Sequence, residues 1–370
     1  MSLFVDHPRA RWAVPGAVLA TIGAVALAAN QTASAGPSLP PRTAAQLLVD
    51  VQRARLSGIS GTVVQTSNLG LPELPGLSGA GVGGGSSSLT STISGTHTWR
   101  IWYAGPAKAR VALLGSLGES DVIRNGNDVW VWSSKDKTAT HSTLPAGHPE
   151  PQPTPELPTS PQAAADEALK ALDPTTSVTT SGATTVAGEA AYELVLRPKD
   201  PSTLVAQVRI AIDATEHVPL RVQVYSVKSA NPAFEVSFSQ VSFGKPDASN
   251  FAFNPPPGTK VTQSTTPMPT AEAPKTGTSK TAAAKAVKTV GSGWSTVVVA
   301  TLPQGTSVGS AASASRQLAG ILRSLPAVSG SWGSGRVLQG TLFSVVIADD
   351  GRVAVGAVAP ARLYAALAAR

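Results

Sequence analysis

The stretch Tyr192-Glu193-Leu194-Val195-Leu196-Arg197 opens a run of alternating segments that ends at Val261 and decides the fold. In an extended chain Tyr192, Leu194 and Leu196 share one face, with Glu193 and Arg197 on the other. Val208, Ile210 and Ile212 alternate with Gln207, Arg209 and Asp213, and Leu220, Val222 and Val224 with Arg221, Gln223 and Tyr225. Phe234, Val236 and Phe238 alternate in turn with Glu235, Ser237 and Ser239. A period of two with one polar face marks antiparallel strands packed on one side and wetted on the other. The spacings therefore predict four consecutive antiparallel strands. After Phe238 the phase flips to Val241 and Phe243, which predicts a β-bulge at Ser239–Gln240. Phe251, Phe253 and Pro255-Pro256-Pro257-Gly258 close the run, because proline ends ladder pairing.

Upstream, Thr43 and Gln46 form a capping box that opens a helix reaching about Leu56, with Leu47, Leu48, Val51 and Ala54 as its apolar stripe and Gly58 as its stop. Ile59–Thr66 reads as a strand. Asn68–Ser91 is a Leu-Pro and glycine-rich connection, either a lid over a ligand mouth or a long hairpin insertion. Thr92–Tyr103 is a strand with His97, Trp99, Ile101 and Tyr103 on one face and Thr98, Arg100 and Trp102 on the other. Gly105-Pro106 turns the chain into Lys108–Leu114, which aligns Ala109, Val111 and Leu113. Asn125-Gly126 predicts a tight hairpin with positive φ at both central positions, followed by Asp128–Trp132 and, after Lys135-Asp136, by Thr138–Thr143. Glu150–Thr159 is a proline-rich linker. Ser160-Pro161 starts a second helix, through Leu172, that turns Ala164, Ala168, Leu169 and Leu172 inward. Val178–Val186 adds a short strand that a turn at Gly188 joins to the opening stretch.

Two segments carry a family resemblance. Val186-Ala187-Gly188-Glu189-Ala190-Ala191-Tyr192-Glu193-Leu194, followed by Leu196 and Pro198, resembles the second-half strand opening of the LolA/RseB-type lipoprotein-binding family. Asn250-Phe251-Ala252-Phe253-Asn254-Pro255-Pro256-Pro257-Gly258, with Val261, is similar to that family's F-x-F-x-P-P-x-G-x-x-V ending. The order strand, Gly-Pro turn, strand, Asn-Gly hairpin and Val-Trp-Val-Trp strand resembles its first half. The resemblance covers most of residues 43–261 and implies an α+β fold: an incomplete antiparallel β-barrel curled round plugging helices. Some members place an arginine before the proline of the first-half turn, where it ties a helical lid to the barrel. Gly105 stands there in this chain, with Arg100 and Arg110 nearby, so arginine-gated release is not expected.

The chain has 370 residues, a formal charge of +7 and no cysteine. Lys and Arg are not clustered with interleaved aromatics, which argues against a nucleic-acid partner and fits a basic surface in a negatively charged envelope. Residues 1–35 form an export segment: Arg9 and Arg11 precede an apolar run from Trp12 to Ala29, and Ala33-Ser34-Ala35 offers a cleavage site. A cleaved signal and a retained anchor both fit a run of this length. Either predicts an extracytoplasmic protein, secreted or anchored to the outer face of the cytoplasmic membrane. Without cysteine it is not itself a lipoprotein and has no disulfide framework. Residues 43–261 are expected to form the half-barrel domain, 262–293 a Thr/Pro/Ala/Lys linker, and 294–370 a small α+β module. The module reads as strand Ser295–Thr301, helix Ala311–Leu325, hairpin Leu342–Ala348 with Arg352–Val358, and a closing helix from Pro360. Its place after the half-barrel resembles RseB-type regulators, in which a smaller domain touches an anti-sigma factor.

No G-x-S-x-G, P-loop, H-E-x-x-H or metal-spaced Cys/His set is present, so no catalytic residue, metal or cofactor is assigned. The five histidines are scattered, without a carboxylate at ligand spacing, and Gly330–Gly335 reads as a turn. The sequence points to a non-enzymatic binding protein. The barrel that the resemblance implies would be lined by Trp99, Ile101, Tyr103, Val111, Leu113, Trp130, Trp132, Leu194, Leu196, Val208, Ile210, Ile212, Val222, Val224 and Phe238. Such a lining suits acyl chains, at about 0.8 kcal/mol per buried methylene, or else simply fills a solid core. The expected partners are an acylated lipoprotein or lipid at a membrane surface. The alternative is a membrane-bound regulatory protein such as an anti-sigma factor.

Overall fold

The computed structural model describes residues 37–70, 94–115, 118–144, 160–162, 165, 175–264, 287–301 and 324–369. The expected export segment, most of the glycine-rich connection, Ala164, Ala168, Leu169 and Leu172 of the second helix, and the expected helix from Ala311 as far as residue 323 lie outside the described residues.

Helix α1 (Ala44–Arg53) begins at the capping box read from the sequence: Gln46 N donates to the Thr43 hydroxyl, and Thr43 N to the Gln46 side chain. It precedes β1 (Ile59–Ser67), β2 (Gly95–Tyr103), β3 (Lys108–Gly115), β4 (Gly118–Asn125), β5 (Asp128–Ser133) and β6 (Thr138–Thr143). Then come β7 (Thr176–Val186), β8 (Glu189–Pro198), β9 (Val205–Asp213), β10 (Pro219–Ser226), β11 (Pro232–Phe243) and β12 (Lys260–Ser264). These twelve strands form one sheet in the order β12-β6-β5-β4-β3-β2-β1-β11-β10-β9-β8-β7. Two meanders, β2–β6 and β7–β11, are joined because β1 pairs antiparallel with both β2 and β11. The sheet is mixed, since β12 lies parallel to β6.

The bulge falls where the phase flip predicts it. Thr62 faces Gln240 and Val63 faces Phe238, which leaves Ser239 without an opposite residue. The Asn-Gly expectation needs correction: Asn125 pairs with Asp128, so the central turn residues are Gly126 and Asn127, and only Gly126 has positive φ. The turn with two positive φ values is Ala187-Gly188, at 54° and 89°. Gly105, at φ 94°, occupies backbone that disfavours any side chain, arginine included.

A second sheet of six strands is formed by β13 (Val287–Val290), β14 (Val297–Thr301), β15 (Ala327–Gly330), β16 (Gly333–Gln339), β17 (Ser344–Ala348) and β18 (Arg352–Gly356). Its order is β13-β14-β18-β17-β16-β15, with α2 (Pro360–Ala368) against one face through Leu363, Ala366 and Leu367. Pro360 starts that helix, as expected. β13 lies within the stretch read as linker. β15 and β16 are not legible in the sequence, because Ala327–Gln339 is rich in Gly and Ser and has no clear alternation. Among the described residues the chain is mainly β with few helices: one large mixed sheet and one small antiparallel sheet.

Gly61 shows how tightly β1 and β11 meet. A Cβ there would stand 2.3 Å from the Gln240 carbonyl oxygen and 2.9 Å from the Phe238 ring. Gly61→Ala is expected to lower stability by roughly 1–3 kcal/mol. An unchanged urea midpoint would refute this close approach.

Candidate functional site

Cross-strand partners share a face, so register sorts the expected lining residues. All of them except Trp130 and Trp132 fall on one face of the large sheet, here called the inner face. Trp99 and Leu196 are fully buried, and the others are buried in the same cluster or half-buried against it. Leu47 and Val51 of α1 join that cluster, so the helix lies on the inner face as a plug. Ala165, next to the expected Ala164, is also fully buried in it. In a flat sheet β7 would lie about four strand spacings, roughly 19 Å, from β11. Instead β7 comes back within reach of β11, so this half of the sheet rolls round its apolar face.

Trp130 and Trp132 belong to the outer face. Trp130 pairs with Ile123, Ile123 with Arg110, and Arg110 with Trp102, whereas Trp99 and Ile101 stand in the opposite phase of β2. Alternation within one strand does not say which of its faces meets which face of the next strand, and the expected inward placement of the two tryptophans fails for that reason. On the outer face they receive the tail after β11. Phe253 packs against both rings, at 5.2 and 5.8 Å between centroids, and Phe251, which ends the short 3-10 turn Ala248–Phe251, is buried.

The outer face also holds contacts that sequence spacing hides. The β5–β6 ladder brings Asp128 Oδ1 to 2.8 Å from His141 Nε2, while His141 Nδ1 lies 2.8 Å from Gln263 of β12 and its ring stacks on Trp130. This carboxylate lies thirteen residues from the histidine, so only strand register brings the two together. His97, by contrast, bonds the Ser94 carbonyl locally. Among the described residues no group of three or more His, Cys, Asp or Glu side chains is placed to share a metal ion. On β3 and β4, Arg110 binds Asp121 through Nε at 2.9 Å and also through Nη2, and reaches Glu119 at 3.3 Å. Arg100 and Arg110 each stand 5.1 Å from the centre of Trp102.

The two ends of the inner face are closed differently. At one, Leu39 packs on the core and the Tyr192 hydroxyl donates to the Pro40 carbonyl at 3.0 Å. At the other, the small sheet docks: Trp294, Leu342 and Ala357 pack against the large core. There Leu204 N and the Thr203 hydroxyl donate to the Ala357 carbonyl at 2.8 and 2.9 Å, and Thr341 N donates to the Leu69 carbonyl at 2.7 Å. Asp200, held down to about 2 by hydrogen bonds from Ser202 above all, faces Arg362 at 3.7 Å across the same seam.

Burial, reinforced by the Glu119 side chain, pushes the Asp121 carboxyl up to about 7 against the opposing pull of Arg110. The folded chain then keeps a proton that the unfolded chain loses near 3.8. Stability contributed by this group is full below that value and is lost as pH rises to about 7. Asp121→Asn is expected to flatten this part of the pH–stability curve, as measured by urea denaturation between about pH 4 and 8. An unchanged slope would contradict the assignment.

The chain is similar to a chain of the MucA/MucB complex of Pseudomonas aeruginosa, at 15% identity and a TM-score of 0.43, over 88% of this chain and 96% of that one. It is also similar to an uncharacterized conserved protein from Thermus thermophilus, at 12% identity and a TM-score of 0.33, over 60% and 99% of the two chains. A LolA superfamily protein from Nitrosomonas europaea matches at 12% identity and a TM-score of 0.21, over 58% and 99%. No curated protein matches the chain. Residues 87–263 match the family model described as a predicted periplasmic protein (DUF2092), in agreement with the extracytoplasmic location expected from residues 1–35.

Proposed function

We propose that this is a non-enzymatic extracytoplasmic binding protein that holds an acyl chain, or a similar apolar group of a lipid or lipoprotein, on the inner face of the large sheet. The observation that carries this reading is the pairing of a rolled apolar face with a cover of one short helix. α1 is ten residues long and inserts Leu47 and Val51, with 0% and 8% of their surface exposed. Burying those two side chains is worth about 3–6 kcal/mol, which roughly four to eight buried methylenes match at about 0.8 kcal/mol each. An acyl chain of about sixteen carbons therefore outweighs the plug and can take its place. No polar code is needed for that exchange, which suits a carrier.

Leu47→Ala weakens the plug. It is expected to cost about 2–5 kcal/mol of stability and to raise affinity for a fluorescent apolar probe such as N-phenylnaphthylamine. Native mass spectrometry of the wild-type protein purified from its own envelope is expected to show co-purified acyl mass. Absence of any acyl adduct, together with no probe binding by either protein, would end the carrier reading.

A second reading has its own observation. Val298 and Val355 are cross-strand partners on the face of the small sheet opposite α2, and they are 41% and 40% exposed. An aliphatic face left open in this way suits a regulatory role, in which the C-terminal module holds a membrane-bound partner such as an anti-sigma factor. Val298→Asp with Val355→Asp would abolish capture of that partner while leaving acyl binding intact. Capture that survives the double substitution would exclude this face.

A further inference from the structure

We propose that the junction between the two sheets is the site for the polar head of the ligand, and that this head is uncharged. The inference rests on the acyl-binding reading above and adds where the ligand's polar end lies and what chemistry it has. Buried uncharged polar side chains gather at this junction: Gln65, Ser67, Thr176, Thr203, Ser226, Ser295 and Ser344 are each at most 7% exposed. Three of them tie the sheets together. Trp294 Nε1 donates to the Thr176 hydroxyl at 2.9 Å, the Thr203 hydroxyl donates to the Ala357 carbonyl, and the Ser226 hydroxyl donates to the Thr341 carbonyl at 2.8 Å.

Two do not. The hydroxyls of Ser67 and Ser344 are buried without a hydrogen-bond partner. Ser67 ends β1 on the inner face, in phase with Val63 and Gln65, and lies two residues before Leu69, which accepts the Thr341 amide. Ser344 pairs with Gly356, the neighbour of Ala357. Both hydroxyls thus belong to segments that meet at the seam, where the apolar face ends. A buried hydroxyl with no partner is destabilising, and alanine would fill the same space without that cost. A hydroxyl both donates and accepts, so each can serve an ester carbonyl or a glycerol hydroxyl.

Charge decides against an ionic head. None of the buried side chains at the junction is charged, and the Arg362–Asp200 pair at its rim is 52% and 35% exposed. A carboxylate or phosphate drawn into the junction would lose its hydration without a buried counter-charge. The fitting ligand is a neutral acyl ester such as a mono- or diacylglyceryl group, with its chain along the inner face and its ester end between the sheets.

The test uses the full chain and displacement of N-phenylnaphthylamine by monomyristoylglycerol or by myristate. Monomyristoylglycerol is expected to displace the probe at about ten-fold lower concentration than myristate. Ser67→Ala and Ser344→Ala should each reduce that preference by about three-fold, within the scale of one buried hydrogen bond, and together remove it, with probe affinity itself unchanged. Ser142→Ala removes another buried, unpartnered hydroxyl, on β6 and away from the junction, and should leave the preference intact. If both amphiphiles displace the probe equally well, or if the preference survives both junction variants, the head-group site is wrong while acyl binding stands. If neither displaces the probe, the acyl-binding reading falls and takes this proposal with it.

Discussion

The large sheet depends on β1 being hydrogen-bonded along both of its edges. Its partners β2 and β11 are far apart in sequence, yet each meets it over nearly its whole length. The two meanders share one inner face only if β1 keeps both registers at once. A slip of one residue on either side would carry Trp99 or Phe238 to the opposite face, because side chains alternate with a period of two. Close contact enforces the register: Gly61 lets the Gln240 carbonyl approach, and the bulge at Ser239 takes up the odd residue. Trp99 adds a bond from its indole nitrogen to Gln65 at 3.3 Å, inside the core.

From that constraint follows a division between the faces. The inner face is aliphatic and aromatic, is covered by a short helix, and is held by packing alone at most positions. The outer face is held by charge and rings. Glu193, 7% exposed, accepts from Arg209, Arg221 and Ser181 on the second meander. Arg110 and Asp121 do the equivalent on the first, and the Phe251–Phe253 tail lies over the tryptophans beside them. Directional contacts on the outer face hold the sheet's shape without help from the apolar packing, as the proposed exchange of plug for ligand requires.

The small sheet is not a free appendage. It seals one end of the inner face with main-chain hydrogen bonds, including a bridge between Thr203 and Val358, and with Trp294, Leu342 and Ala357 against the large core. A linker of low complexity joins the two sheets in sequence, but the seam joins them in space. Buried polar side chains without charge concentrate at that seam, and this sets it apart from both the greasy face and the charged one.

Local periodicity is enough to identify the strands of the second meander, the bulge at Ser239, the capping box at Thr43 and the start of α2 at Pro360, since each depends on residues close together in the chain. The inner-face residues of β2, β3 and β8–β11 are legible for the same reason. Strand pairing decides what periodicity leaves open: the phase of β5 relative to β4, which moves Trp130 and Trp132 outward, the parallel addition of β12, and the meeting of His141 with Asp128. It also decides the seam, where Thr203 and Ala357 meet across 154 residues of chain. A side chain's face is a local property, whereas its neighbours across a ladder are set by register, which no single strand contains.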